Sequence, residues 1–152
     1  MLALRERIGH DLLWMPGVTA LVVDRRRTRM LAVRRADDGT WTPVTGIIDP
    51  GEEPARAAVR EVAEEAGIAC TALQLLDVRT LPPITYPNGD RAQYLDLCFL
   101  CEADDDTEPH PADGENTEAR WFPLTDPPEM NDRFMEQLAL ARRGTTAARF
   151  RR

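Results

Sequence analysis

The chain is 152 residues long, 43% hydrophobic and 30% charged, with a formal net charge of −7. That length suits one hydrophobic core and is short for two, so a single domain over residues 1–152 is expected. The acidic balance disfavours a nucleic-acid polymer as partner, since such a surface must be basic to neutralise phosphates, and no apolar run approaches the roughly 20 residues of a membrane span.

The first fifteen residues, MLALRERIGHDLLWM, carry internal charges and no cleavable apolar core, so they read as an N-terminal extension and not as a secretory signal. Leu12, Leu13, Trp14 and Met15 are apolar enough to fold onto the core or against a second copy, and a homodimer is the expected assembly. Gly17 to Asp24 and Arg29 to Arg34 are aliphatic runs joined by a polar turn, the pattern of a hairpin. The basic run Arg25, Arg26, Arg27 and Arg29 belongs to that turn and reads as solvated. Trp41 to Ile48 then leads into the next element.

Pro54 at a first turn, alanine-rich filler and Gly67 just past the end predict a helix over 54–66. On a 3.6-residue repeat Ala55, Val59, Val62 and Ala66 form an apolar stripe, while Glu61, Glu64 and Glu65 share a different face at i, i+3 and i+4. Like charges at these spacings cost a helix ~0.2–0.5 kcal/mol per pair, and Arg60, four residues before Glu64, offsets only part of that. Such a run is ordinarily a solvated face. The residues that flank it point elsewhere.

Beyond the helix, 72–79 and 91–102 read as strands, the second preceded by Asn88-Gly89, a dipeptide suited to tight turns. Cys98 and Cys101 make a lone C-x-x-C in that second strand. Side chains three apart on a strand point to opposite faces, which argues against a shared metal or redox pair. Three cysteines are an odd number and argue against a disulfide framework; buried, reduced thiols imply a cytoplasmic location. Residues 104–117 are acidic and rich in turn formers, hence an exposed loop with His110 on its surface. A short strand at 118–122 follows, then an amphipathic helix at 130–143 with Met130, Phe134, Leu138 and Ala141 at helical spacing. Residues 144–152 are expected to end as a frayed basic tail. The pattern is α+β or mixed α/β, a sheet with helices on both sides.

Gly46, five residues, Glu52, seven residues and then Arg60-Glu61-Val62-Ala63-Glu64-Glu65-Ala66-Gly67-Ile68 resembles the box of the Nudix, or MutT-like, hydrolases at every specified position. With average residue frequencies a chance match at one starting point is on the order of 10⁻⁹ or less. The resemblance implies the Nudix fold, an α/β/α sandwich with a mixed sheet between helices. It also implies hydrolysis of a diphosphate bond in a nucleoside diphosphate linked to another moiety, such as ADP-ribose or a nucleoside triphosphate, with water attacking phosphorus. An acidic pocket repels an anionic diphosphate unless a hard cation lies between them, so Mg²⁺ or Mn²⁺ is the implied cofactor and a nucleotide-derived small molecule the implied partner.

By the family pattern Glu61, Glu64 and Glu65 are metal ligands, Arg60 holds a carboxylate in position and Glu52 supports the loop and helix start. Glu61 is open to service as ligand, as base or as both. The resemblance further implies a backbone carbonyl ligand at Thr45, and an acidic ligand or base from a loop before a late tryptophan. Glu115, six residues before Trp121, occupies that place, with Glu118 as competitor. Many relatives carry glycine where Thr45 stands, and threonine resists positive φ, so altered loop geometry or substrate preference is expected. Asp49 stands where glutamate is common. Trp14, Tyr86 and Tyr94 are candidate base-stacking aromatics, more ordinarily packing residues. Two other readings have sequence discriminators. An enzyme resembling isopentenyl diphosphate isomerase would carry an active-site cysteine upstream of the box, and the first cysteine here is Cys70. A non-catalytic nucleotide-sensing domain usually lacks box carboxylates, and all four are present.

Overall fold

The computed structural model describes residues 9–104, 106–112, 114–144 and 146–151. Its axis is β1 (Leu13–Val23), paired in parallel with β7 (Arg91–Ala103) from Leu13 opposite Ala92 to Val23 opposite Glu102. Both centres are near-continuous apolar runs, the composition of strands covered on both faces. On its other side β1 takes β4 (Val44–Ile47) antiparallel, with Thr19 opposite Thr45 and Val18 opposite Gly46. Beyond lies β2 (Arg29–Arg35), which pairs with β3 (Trp41–Thr42) and with β8 (Asn116–Pro123). At the far side β5 (Cys70–Thr80) lies antiparallel to β7, β6 (Ile84–Thr85) folds back on β7, and β9 (Arg149–Phe150) adds in parallel to β5.

Helix α1 (Pro54–Ala66) covers one face and α2 (Asp132–Arg143) the other, giving the expected α/β/α layering around a mixed sheet. Alternation along β1 divides its side chains between them: Val18, Ala20 and Val22 meet Ala58, Val62 and Ala66 of α1, whereas Leu21 and Val23 meet Phe134 and Leu138 of α2. Full burial of a valine or leucine contributes about 1.5–3 kcal/mol. Cys98 and Cys101 fall in opposite layers, as their spacing requires, and all three cysteines are buried and unbridged. Gly67 ends α1 at φ +65°, a left-handed position that glycine adopts without steric penalty, and its N–H reaches the Ala63 carbonyl at 3.1 Å. The Asn131 side chain caps α2 by accepting the Phe134 N–H at 3.2 Å. No helix among the described residues is long and apolar enough to cross a membrane.

Several sequence expectations are corrected. The turn after β1 forms, held by the Asp24 carboxylate accepting the Thr28 and Arg29 N–H groups at 2.7 and 2.9 Å. The strands it joins share only the Val23–Met30 register pair, because β2 diverges to lie along β8. Residues 13–15 belong to β1 and not to an extension, with Leu13 and Met15 buried while Leu12 and Trp14 remain 42% and 51% exposed. Residues 1–8 of that extension lie outside the described residues. The acidic loop has exposed side chains, yet its backbone docks on the end of α1, where the His110 and Ala112 N–H groups reach the Ala66 and Glu65 carbonyls at 3.1 and 3.2 Å. Those carbonyls have no partner inside the helix, so the loop serves as its C-terminal cap.

The tail is not frayed at residues 149–151. Arg149 donates to both oxygens of the fully buried Asp77 at 3.0 and 3.2 Å, Arg79 donates to the same carboxylate at 2.6 Å, and Glu136 of α2 receives Arg79, Arg149 and Arg151 at 3.0, 3.2 and 3.1 Å. Burial opposes ionisation of Asp77, but the two guanidinium groups outweigh it and hold the carboxyl below its ordinary value of 3.8. A depressed carboxylate stabilises the fold above the unfolded-state value and loses that contribution as pH falls below it. Acid unfolding followed by circular dichroism is expected to steepen below about pH 4, and Asp77→Asn to flatten that limb. An identical pH profile for both proteins would remove this role.

Candidate active site

The turn between β4 and α1 is built from its own carboxylates. The Asp49 N–H donates to Glu52 Oε2 at 3.2 Å, the Glu52 N–H returns to the Asp49 carbonyl at 3.0 Å, and Gly51 takes φ +84° to close the bend. Arg60, at the midpoint of α1, reaches back to this loop. Its Nε and Nη2 grip the two oxygens of Glu52 at 2.9 and 2.8 Å, Nη2 also meets the Ile47 carbonyl at 3.1 Å, and Nη1 donates to both Glu61 Oε1 and Glu64 Oε2 at 2.9 Å. A fork-to-fork pair of this kind fixes direction as well as charge. The Arg60 hydrogen bonds draw the Glu52 carboxyl down to about 2.

Glu61 differs from Glu52 in burial. Loss of water raises its carboxyl above the ordinary value, with Arg60 opposing and the Glu64 charge adding to the rise. The side chain lies across Gly46: a Cβ there would stand 2.0 Å from Glu61 Cδ, so the bare α-carbon is what admits the carboxylate between β4 and α1. Thr45, one residue earlier, lies in β4 opposite Thr19 and is not among the positive-φ residues, so its place in the strand asks for no glycine-like conformation.

The three helix glutamates do not share one solvated face. Glu64 is exposed, Glu61 is largely covered, and Glu65 is buried at 6% exposure, turned inward so that Asn116 Nδ2 donates to its Oε2 at 2.8 Å. Glu65 opens on a cavity of about 310 Å³ lined also by Thr45, Thr42, Arg35, Asp37, Glu115 and Asn116. Thr45, Glu65 and Glu115 are thus gathered at one place from β4, α1 and the loop before β8. Glu118 is not part of that lining; it pairs with Arg34 at 2.9 Å and with Arg120. Trp14 and Tyr86 are exposed, and Tyr94 lies beside Tyr86, their hydroxyls 2.8 Å apart; none of the three lines the cavity.

The box residues thus lie on β4, its following loop and α1, and the domain model for NUDIX matches residues 13–141. The chain belongs to the Nudix family. It is 35% identical over 119 residues to a MutT-like protein of Streptomyces ambofaciens, covering 78% of this chain and 69% of that one. It is 33% identical to the dihydroneopterin triphosphate diphosphatase of Escherichia coli, covering 85% of this chain and 79% of that one. Several further curated relatives are longer proteins, of which the chain spans less than half. Among solved structures, a MutT Nudix hydrolase from Burkholderia pseudomallei superposes with a TM-score of 0.66 at 28% identity, covering 84% of this chain and 97% of that one. The protein is a Nudix hydrolase, and neither the isomerase-like nor the non-catalytic alternative is supported by these relatives.

Among the described residues no three His, Cys, Asp or Glu side chains already stand as a metal cage. The donors nevertheless suit a hard cation, because Glu61 and Glu64 already converge on one positive atom, Arg60 Nη1. Asn116, Arg35 and Thr42 were not singled out by the sequence. Asn116 carries a signal only in hindsight, as the neighbour of Glu115; nothing in the spacing of Arg35 or Thr42 marks a pocket wall.

Arg60→Met leaves Glu52, Glu61 and Glu64 without their shared cation and is expected to destabilise the fold by about 1–3 kcal/mol, read from urea unfolding midpoints. Arg60→Lys cannot reproduce the fork and is expected to recover little of it. Unchanged midpoints in both variants would show that the carboxylates are held by something else.

Proposed function

We propose that this Nudix hydrolase cleaves a diphosphate bond in a nucleotide derivative with the help of Mg²⁺ or Mn²⁺. The observation that carries this reading is the convergence of Thr45, Glu65 and Glu115 on one cavity beside the Arg60-bound pair Glu61 and Glu64. Glu61, Glu64 and Glu65, with the Thr45 carbonyl and Glu115, would hold the cation. What a divalent ion supplies there when bound is neutralisation of the nonbridging phosphate oxygens and a more acidic attacking water.

The remaining work falls to the chain itself. Arg60 fixes the azimuth of Glu61 and Glu64 and ties both to the Glu52 loop, so the carboxylates are placed before substrate arrives. Glu61, partly desolvated, serves as ligand, as acceptor of the proton lost by water, or as both. The substrate class is supported by a relative of 33% identity, the dihydroneopterin triphosphate diphosphatase of Escherichia coli. The partner is a nucleotide-derived small molecule, and the net charge of −7 suits a reading without a nucleic-acid polymer.

Hydrolysis would be followed by chromatographic separation of the nucleotide products over ADP-ribose, dinucleoside polyphosphates, nucleotide sugars, dihydroneopterin triphosphate and canonical or oxidised nucleoside triphosphates, with Mg²⁺ or Mn²⁺ and with chelator. Turnover with at least one of these is expected to require the cation and to fall at least about 100-fold in Glu65→Gln. Turnover that persists in chelator, or a Glu65→Gln variant as active as the parent, would overturn the metal assignment.

A further inference from the structure

Glu65 is the least exposed of the helix carboxylates, and one polar contact made to it comes from a residue outside the box. Asn116, itself only 7% exposed, stands at the first position of β8 and donates from Nδ2 to Glu65 Oε2 at 2.8 Å. The terminal torsion of a glutamate is broad and weakly restricted by sterics, so a hydrogen bond to one oxygen narrows the orientation of the carboxylate. The backbone that carries the donor is itself anchored. Its strand is pinned to β2 at the Arg35–Asn116 register pair, where pairing shifts between Arg34 and Arg35, and the adjacent Glu115 carbonyl accepts the Ala36 N–H at 2.9 Å. Irregularities of this kind re-aim side chains near sites.

Glu115 and Asn116 are consecutive, and both line the cavity that Glu65 faces. One anchored dipeptide therefore governs two of the carboxylates assigned above, one by carrying it and one by gripping it. We propose that Asn116 is a positioning residue, which orients Glu65 toward the divalent cation and fixes its distance from Glu115; the inference rests on the metal-dependent reading of this same pocket. The Asn116 amide keeps its donor at every accessible pH and adds no charge, so it can hold a carboxylate without competing for the cation. A residue supporting a ligand in this way ordinarily changes metal affinity 10–100-fold when lost.

The test is Mn²⁺ binding to the purified protein, by calorimetry and by the free-ion electron paramagnetic resonance signal, in the absence of substrate. Asn116→Ala is the first variant; Asn116→Leu, of similar volume and without a donor, is the second should the smaller residue not fold. Each is made in the parent and in Glu65→Gln. The expected result is an Mn²⁺ dissociation constant raised about 10-fold or more by loss of Asn116 in the parent background, and not raised further in Glu65→Gln. Equal loss in both backgrounds, or unchanged affinity in the parent with a lowered melting temperature, would reduce Asn116 to a structural residue and overturn the proposal. Failure of the parent itself to bind Mn²⁺ would instead overturn the underlying metal reading, and the two failures are told apart by that one titration.

Discussion

Arg60 is the interaction on which the candidate site depends. Its guanidinium is shared by Glu52 from the loop, Glu61 and Glu64 from the helix, and the Ile47 carbonyl at the end of β4. Without a cation at that point, three carboxylates in one corner of the molecule would repel each other and the loop would have no reason to fold back on the helix. With it, the loop, the strand end and the helix become one rigid piece, and the charges are held close together while still within reach of solvent. Arg60 thus fixes where the carboxylates of the loop and the helix stand relative to one another.

That piece can form only because the strand it leans on is unusually accommodating. Gly46 offers no side chain where Glu61 lies, and Gly17 on the neighbouring strand would place a Cβ 3.3 Å from the Gly46 carbonyl. Two glycines at one crossing let β1, β4 and α1 approach closely, and the fully parallel β1–β7 ladder keeps that crossing rigid from behind. Backbone compactness here is a requirement of the charged side chain, not of the apolar core.

The opposite layer shows polar groups used differently. Under α2, Asp96 accepts from Thr19 at 2.7 Å and from Gln137 at 2.9 Å and pairs with Arg133 at 3.1 Å, while Asp77 is enclosed by Arg79 and Arg149. Each buried acid is matched by donors from the helix, the sheet or the tail, so these networks tie elements together and leave no surplus negative charge. Around α1 one guanidinium, Arg60, serves three carboxylates, and Asn116 is among the groups that meet Glu65. The same residue types fasten the fold on one face and gather at the candidate site on the other.

Much of this was legible in sequence because it is local. Pro54 and Gly67 bounded α1 at Pro54–Ala66, the spacing of Arg60 and Glu64 foretold their ion pair, and alternation separated Cys98 from Cys101. Resemblance to the family offered Glu115 with Glu118 as competitor, and of the two Glu115 lines the cavity. Sequence periodicity failed where long-range pairing decides. It could not show that Glu65 turns inward, since that depends on a donor 51 residues away at the start of β8. Nor could it show that the basic tail becomes a strand, since that depends on a buried Asp77 on β5. Propensity and spacing act within a turn or two of chain, so the sequence by itself determined the elements and the motif. Which carboxylate is buried, and what grips it, was decided only when distant strands met in the sheet.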